Sequence, residues 1–237
     1  IIWTMGGDYM DIKKAIPIGV ESYKEIIDSD YYYIDKTRLI MDLLTQKSKV
    51  TLFIRPRRFG KTLAQSMLRT FFEEEIDSDG KTVDNSRYFE GKKIMGAGRQ
   101  FTCHMGKYPV IFLSMKSAKQ PNFEMAYHRI LTDIVSEFER HAYLLEGNIL
   151  TLAQKKLYNT ILERTAGIAD YTFSLKFLSD CLGKYHHRKT IILIDEYDVP
   201  LENAYFKGFY RQMVDFMRSL LESALKTNDS LQFAVIT

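Results

Sequence analysis

The pattern that most constrains the fold of this chain is a short apolar run followed by a turn, the tripeptide Gly60-Lys61-Thr62 and an amphipathic stretch. The apolar run spans residues 50–54 and is rich in β-branched and aromatic side chains, which is typical of a buried strand. Residues 63–72 carry apolar side chains at helical spacing. A strand, a turn, Gly-Lys-Thr and a helix in this order predict a phosphate-binding loop.

The chemistry of such a loop assigns a role to each residue of the tripeptide. Backbone N–H groups and the helix dipole at a helix N-terminus attract an anion. Gly60 lets the backbone approach a phosphate without a Cβ, and Lys61 reaches the β- and γ-phosphate oxygens. The hydroxyl of Thr62 is a ligand suited to Mg²⁺. The residues expected to contact the nucleotide are Pro56, Arg57, Arg58, Phe59, Gly60, Lys61, Thr62 and Leu63.

One position departs from the general pattern. The Walker A motif, G-x-x-x-x-G-K-[ST], requires glycine where this chain has Arg55. Either Arg55 reaches the required dihedral angles at some energetic cost, or Pro56 shapes the turn differently. The alternative interpretation is a chance Gly-Lys-Thr in a helix-capping turn, so the assignment depends on a second motif.

That second motif is the apolar run at residues 190–194, which ends in Asp195 and Glu196. A continuous apolar run is typical of a parallel strand that is buried on both faces. Acidic residues at its carboxyl end lie where open α/β sheets bind ligands. This is the Walker B pattern, in which Asp195 holds Mg²⁺ and Glu196 polarises the attacking water. The alternative is a strand that ends in a solvated acidic turn, but both motifs in this order favour nucleotide binding.

Strand and helix patterns alternate along the chain. Core strands are expected near residues 50–54, 108–114, 190–195 and 231–236, with amphipathic helices between them. This alternation favours a mostly parallel sheet with helices on both faces.

Local signals set the expected limits of several helices. Ser22 is expected to cap a helix that runs to residue 27, and Asp35 a helix over residues 36–46. Ser174 is expected to open a helix that ends at Gly183. The pair His186-His187 is interpreted as part of a solvated loop rather than as a metal site.

Four segments, at residues 16–21, 31–37, 55–62 and 195–201, together resemble the AAA-ATPase-like family of bacterial P-loop proteins. The family shares arginine at the position of Arg55. The resemblance implies a P-loop NTPase three-layer sandwich with a mostly parallel central sheet of the additional-strand type. In that arrangement the Walker B strand does not lie beside the strand of the phosphate loop.

The resemblance covers residues 15–237 and leaves residues 1–14 as an extension, in which either Met5 or Met10 is a candidate start. It implies that Thr237, after the last strand, senses the γ-phosphate or positions water. We expect the domain to stop before its small C-terminal helical lid. Family members often carry a PD-(D/E)xK nuclease-like domain after the ATPase domain, and none is expected within this chain.

Composition limits the classes of function. A net charge of +3 is too small to indicate nucleic-acid binding by itself. Cys103 and Cys181 have no metal-ligand spacing, which favours a reducing compartment and a cytoplasmic location. No run approaches the about 18–20 apolar residues of a membrane span.

The sequence therefore predicts Mg²⁺-dependent ATP binding and hydrolysis, with Lys61, Glu196 and Thr237 as catalytic residues and Thr62 and Asp195 as metal ligands. The alternative is a nucleotide-gated binding or scaffold module with little hydrolysis, in service of an associated nuclease domain.

Two rival enzyme classes are less favoured. A GTPase would need an N-K-x-D motif, which residues 227–230 do not supply, and a small-molecule kinase fits the paired acids less well. A homo-oligomer would allow Arg211 or Arg218 to act as an arginine finger, although a surface role is the simpler interpretation.

Overall fold

The computed structural model describes residues 14–54, 59–77 and 79–237. These residues form four strands and nine α-helices. The strands are β1 (Val50–Leu52), β2 (Val110–Ser114), β3 (Thr190–Asp195) and β4 (Leu231–Ile236). The helices are α1 (Tyr23–Asp28), α2 (Arg38–Gln46), α3 (Lys61–Phe72), α4 (Arg99–Thr102), α5 (Phe123–Arg140), α6 (Leu152–Leu162), α7 (Ile168–His186), α8 (Val199–Lys207) and α9 (Tyr210–Leu225). Short 3₁₀ turns occupy Ser86–Phe89, Lys93–Gly96, Lys116–Ala118 and Ala142–Leu145.

The four strands form one parallel sheet in the order β1-β4-β3-β2. Strand β4 lies between β1 and β3, so the strand that ends at Asp195 is not beside the strand before the phosphate loop, as the resemblance implies. Every residue of β3 is buried, which confirms the expectation drawn from its continuous apolar run.

The expectation of a buried first strand was wrong for β1. Val50 and Leu52 are 40% and 48% exposed. Within the described residues β1 lies at the edge of the sheet and pairs with β4 alone. Apolar periodicity identified a strand correctly, but periodicity carries no information about which strands lie at an edge.

Helices cover both faces of the sheet, as parallel connections require. On one face, α5, α6, α7, α8 and α9 pack in a single apolar cluster with side chains from β2, β3 and β4. On the other face, α1, α2 and α3 share a second cluster with the alternate side chains of the same strands. The α/β architecture with a mostly parallel sheet is therefore observed.

Two predicted helix starts have different outcomes. Ser22 caps α1 as expected, because its hydroxyl accepts a hydrogen bond from the Glu25 N–H at 3.3 Å. Helix α2 begins at Arg38, two residues later than predicted, and Asp35 is not its cap. The Asp35 carboxylate instead accepts hydrogen bonds from Thr37 and from the backbone of Lys93.

The expected limits of α7 were also wrong. The helix starts at Ile168 and runs through both Ser174 and Gly183 to His186. Ser174 is fully buried, and its hydroxyl donates to the carbonyl of Tyr171 at 2.7 Å, so the polar residue sits inside the helix instead of capping it. The His186 side chain is not in a solvated loop, since only 2% of it is exposed and Nδ1 lies 3.0 Å from a Glu74 oxygen.

Candidate functional site

The predicted phosphate loop leads directly into α3. Gly60 is the N-cap residue with φ 71° and ψ 36°, a left-handed conformation that favours glycine, and its carbonyl accepts from the Ala64 N–H at 2.9 Å. Lys61 and Thr62 form the first turn of the helix and are partly buried. Arg55, Pro56, Arg57 and Arg58, which the sequence assigns to this loop, lie outside the described residues.

A buried glutamine fixes the start of α3 against the sheet. Nε2 of Gln65 donates to the carbonyl of Ile194 at 3.3 Å and to that of Val235 at 3.2 Å. These carbonyls lie near the carboxyl ends of β3 and β4. Lys61 is one helical turn, about 6 Å, closer to the N-terminus on the same face as Gln65. The predicted loop lysine therefore lies at the same edge of the sheet as the predicted acidic pair.

Asp195 is fully buried at the end of β3. Its Oδ1 accepts a hydrogen bond from the Thr237 hydroxyl, which brings together two residues that the sequence placed in the site. Its Oδ2 is buried and has no hydrogen-bond partner among the described residues. A buried carboxylate oxygen without a donor is costly unless a cation or a bound water satisfies it, so this residue fits the Mg²⁺ ligand predicted from sequence.

Glu196 follows Asp195 in a strained conformation. Its φ of 54° is in the left-handed region, which non-glycine residues rarely adopt and which is concentrated at functional sites. The next residue is held in place, because the Tyr197 N–H donates to the Thr237 carbonyl at 3.2 Å. Burial and then the negative charge of Asp195 raise the pKa of Glu196 above its ordinary value. A raised pKa makes this carboxylate a better proton acceptor than an exposed glutamate.

An ion pair that the sequence analysis missed lies beside these acids. Lys116, just beyond the end of β2, pairs with Glu21 from the segment before α1. Lys116 follows Met115, whose N–H donates to the Asp195 carbonyl at 2.9 Å, and the charge of Lys116 opposes the rise in the pKa of Glu196. The available signal was position, because Lys116 follows a parallel strand at the carboxyl edge of the sheet, where ligands bind.

Other candidates are less closely tied to this edge. Leu63 is partly buried and packs against the cluster under α1, α2 and α3. Asp198, within the segment 195–201 that carries the family resemblance, occupies the N-cap position of α8 but makes no side-chain capping bond. Arg211 and Arg218 are exposed on α9, and their predicted role toward a neighbouring subunit stays a prediction.

Within the described ranges there is no group of three or more His, Cys, Asp and Glu side chains that could hold a metal ion. A cation at Asp195 would therefore take its remaining ligands from hydroxyl, phosphate and water oxygens, which is common for Mg²⁺. In the same part of the chain, every helix is too short or too polar to span a bilayer.

Comparison with known proteins agrees with the resemblance drawn from the motifs. A family model described as a predicted AAA-ATPase, AAA-ATPase-like, matches residues 17–237. The chain belongs to the AAA-ATPase-like family. Membership in this family indicates ATP binding.

One relative of this AAA-ATPase-like chain is an uncharacterised protein encoded in the region 5′ of vnfD in Azotobacter chroococcum mcd 1. The two are 28% identical over 232 residues, which is 95% of this chain and 37% of the relative. The chain thus spans little more than a third of the length of that protein. No solved structure matches the chain.

Proposed function

We propose that this AAA-ATPase-like domain binds ATP with Mg²⁺ at the carboxyl edge of its sheet and hydrolyses it, as a P-loop NTPase of the additional-strand type. The observation that carries the proposal is the buried Asp195, with one carboxylate oxygen left without a partner. This oxygen lies at the edge of the sheet against which the Gln65 contacts hold the start of the Lys61 helix.

The phosphates would bind at the start of α3. The backbone N–H groups of the first turn are free of helical partners and carry the positive end of the helix dipole. Lys61 would contact the β- and γ-phosphates, and the other residues of the span 56–63 would wrap around them. The left-handed Gly60 supports this arrangement, because the loop backbone turns sharply there without a side chain in the way.

Asp195 and Thr62 would hold the metal ion. A bound Mg²⁺ supplies positive charge to the phosphate oxygens. Thr237 would keep the Asp195 carboxylate oriented, because its hydroxyl already occupies the other carboxylate oxygen. Thr237 is itself 4% exposed, so this bond lies in a protected setting where it holds its geometry well.

Glu196 would accept the proton of the water that attacks the γ-phosphorus. The raised pKa of Glu196 suits that role, and its left-handed backbone directs the residue differently from a continued strand. Lys61 and the loop backbone would stabilise the charge that develops on the transferred phosphoryl group.

Calorimetry tests the binding step. Wild type should bind Mg²⁺-ATP with micromolar affinity, and Lys61→Ala should lose at least about a hundredfold because it removes a charge-assisted phosphate contact. Lys156→Ala removes an exposed lysine on α6 and serves as the matched control that should bind as wild type does. Equal affinity in the Lys61 and Lys156 variants would contradict the proposal.

Steady-state phosphate release tests the hydrolysis step. Glu196→Gln should bind ATP normally but turn over at least about a hundredfold more slowly, since it removes a general base. Turnover that is unchanged in Glu196→Gln, with binding lost in Lys61→Ala, would contradict the role of Glu196. Normal binding with no phosphate release from wild type would favour the nucleotide-gated scaffold instead.

A further inference from the structure

Asp35, Lys36 and Thr37 end the segment 31–37, one of the four that carry the family resemblance. The proposed nucleotide site assigns this segment no role. Both flanking residues are anchored. The Asp35 carboxylate accepts from the Thr37 N–H at 2.9 Å, from the Thr37 hydroxyl at 2.7 Å and from the Lys93 N–H at 2.8 Å. Thr37 is fully buried, and its hydroxyl accepts from the Ile94 N–H at 3.2 Å. The backbone of Lys36 is therefore held between two fixed neighbours.

The side chain of Lys36 extends from this anchor to the phosphate loop. Its ammonium donates to the carbonyl of Phe59 at 3.1 Å, although the two residues are 23 positions apart in the sequence. It also lies 3.1 Å from where a Cβ on Gly60 would stand. Apart from Gly60 and its two chain neighbours, it is the only group among the described residues within 4 Å of that position.

The position of this ammonium matters because Gly60 has no side chain beside the loop backbone. The missing Cβ lets the Lys36 ammonium come close to the loop backbone, beside the start of α3 where the phosphates would bind. The side chain is exposed, and no carboxylate in the described part of the chain forms an ion pair with it. An ammonium has N–H donors to spare beyond the one that Phe59 accepts.

We propose that Lys36 is a second phosphate-binding lysine of the site, which contacts the polyphosphate of the nucleotide while its bond to Phe59 holds the loop in place. This inference rests on the proposed function, since it assumes that a nucleotide binds at Gly60. Its chemistry is that of Lys61, a compact positive charge on a flexible stem that pairs with phosphate oxygens.

A pair of variants separates the charge of Lys36 from its hydrogen bond. Lys36→Gln keeps an N–H donor for the Phe59 carbonyl but removes the charge, whereas Lys36→Met removes both. Calorimetry with Mg²⁺-ATP and with inorganic tripolyphosphate should show about a tenfold loss of affinity in both variants. The dependence of binding on salt should become shallower, and the unfolding temperature without nucleotide should stay that of wild type.

The outcomes distinguish a failure of this inference from a failure of the proposed function. If Lys36→Gln and Lys36→Met bind both ligands as tightly as Lys156→Ala while Lys61→Ala has lost binding, the inference is wrong and the proposed function stands. If Lys36→Gln binds fully and only Lys36→Met loses affinity, Lys36 holds the loop through its bond to Phe59 without contacting phosphate. That result would also overturn the inference. If wild type binds neither ligand, the proposed function fails and the inference fails with it.

Discussion

Glu137, on α5 against β2, has partners for both of its carboxylate oxygens, whereas Asp195, at the carboxyl end of β3, has a partner for only one. Oε1 of Glu137 accepts from the Phe112 N–H at 2.8 Å, and Oε2 accepts from Arg140 Nε at 3.0 Å. Burial alone would raise the pKa of Glu137, but the charge of Arg140 holds it well below its ordinary value. Two buried carboxylates beside the same sheet therefore differ, because Glu137 has hydrogen bonds to both oxygens and Asp195 has one to a single oxygen.

The region around Glu137 forms a closed network. Arg140 also pairs with Glu73, which accepts a second bond from Arg69 at 2.9 Å. His141 lies 3.2 Å from the Val110 carbonyl and 3.0 Å from the Tyr143 hydroxyl, as measured from its two ring nitrogens. Every charge in this network has an opposite charge or a hydrogen-bond partner inside the protein.

The comparison contrasts a structural cluster with the proposed binding site. Buried charges that satisfy one another need no ligand, so the network around Glu137 is explained by stability of the fold. Asp195 pays a desolvation penalty that the protein only partly offsets, and Glu196 beside it has a strained backbone. A buried polar atom without a partner beside a strained backbone is a combination found at functional sites, which supports the proposed nucleotide site.

The largest expected effect comes from breaking the network at its shared cation. Arg140→Met should lower the free energy of unfolding by about 3 kcal/mol, because it removes the arginine partner of the buried Glu137 carboxylate and leaves Glu73 with Arg69 alone. Denaturant unfolding followed by circular dichroism measures the change. Arg218→Met, at an exposed position on α9, should change it by less than about 0.5 kcal/mol. Equal stability of the two variants would contradict the closed network.

A matched pair of substitutions tests the contrast directly. Glu137→Gln should cost about 2 kcal/mol of stability, since it weakens hydrogen bonds to a charged partner. Asp195→Asn keeps an acceptor for Thr237 and removes a poorly compensated charge, so the free protein should be as stable as wild type or slightly more stable.

The same pair should behave in the opposite way in nucleotide binding. Calorimetry should show that Asp195→Asn loses the Mg²⁺-dependent part of ATP affinity, about tenfold or more, while Glu137→Gln retains it. A large loss of stability in Asp195→Asn would mean that the carboxylate is structural, and the contrast between the two regions would not hold.

The smallest expected effect is the part of the pH dependence of stability that comes from His141 in this network. Burial and then the charge of Arg140 lower the pKa of His141 below its ordinary 6.5. The unfolded chain then binds more protons than the folded one below pH 6.5, so the stability from this group is present above that pH. It is lost as the pH falls through the lower folded pKa, and Glu137 adds a loss of the same sign at more acidic pH.

Denaturant unfolding at pH values from 7.5 to about 5 measures this trend. His141→Gln should flatten the dependence, whereas His128→Gln, at an exposed position on α5, should leave it as in wild type. A slope that is the same in both variants would show that His141 is not its source.

Several features followed from the sequence alone. The strands β2, β3 and β4 and the helix after Gly60 were predicted correctly, because each has a local pattern of apolar spacing or a compact motif. The start of α2 was predicted wrongly. Asp35 is of a residue type that often caps helices, but its carboxylate accepts hydrogen bonds from Thr37 and Lys93 instead.

Tertiary structure alone decided the rest. Contacts between distant segments determine the order of the strands and the hydrogen bonds of Gln65 to β3 and β4. They also determine that Oδ2 of Asp195 is buried without a hydrogen-bond partner among the described residues. Lys36 meets Phe59 across 23 positions and Glu73 meets Arg140 across 67. A local pattern determines which residues form a strand or helix, but partners that far apart in the chain are set by packing, so no periodicity in either segment could reveal them.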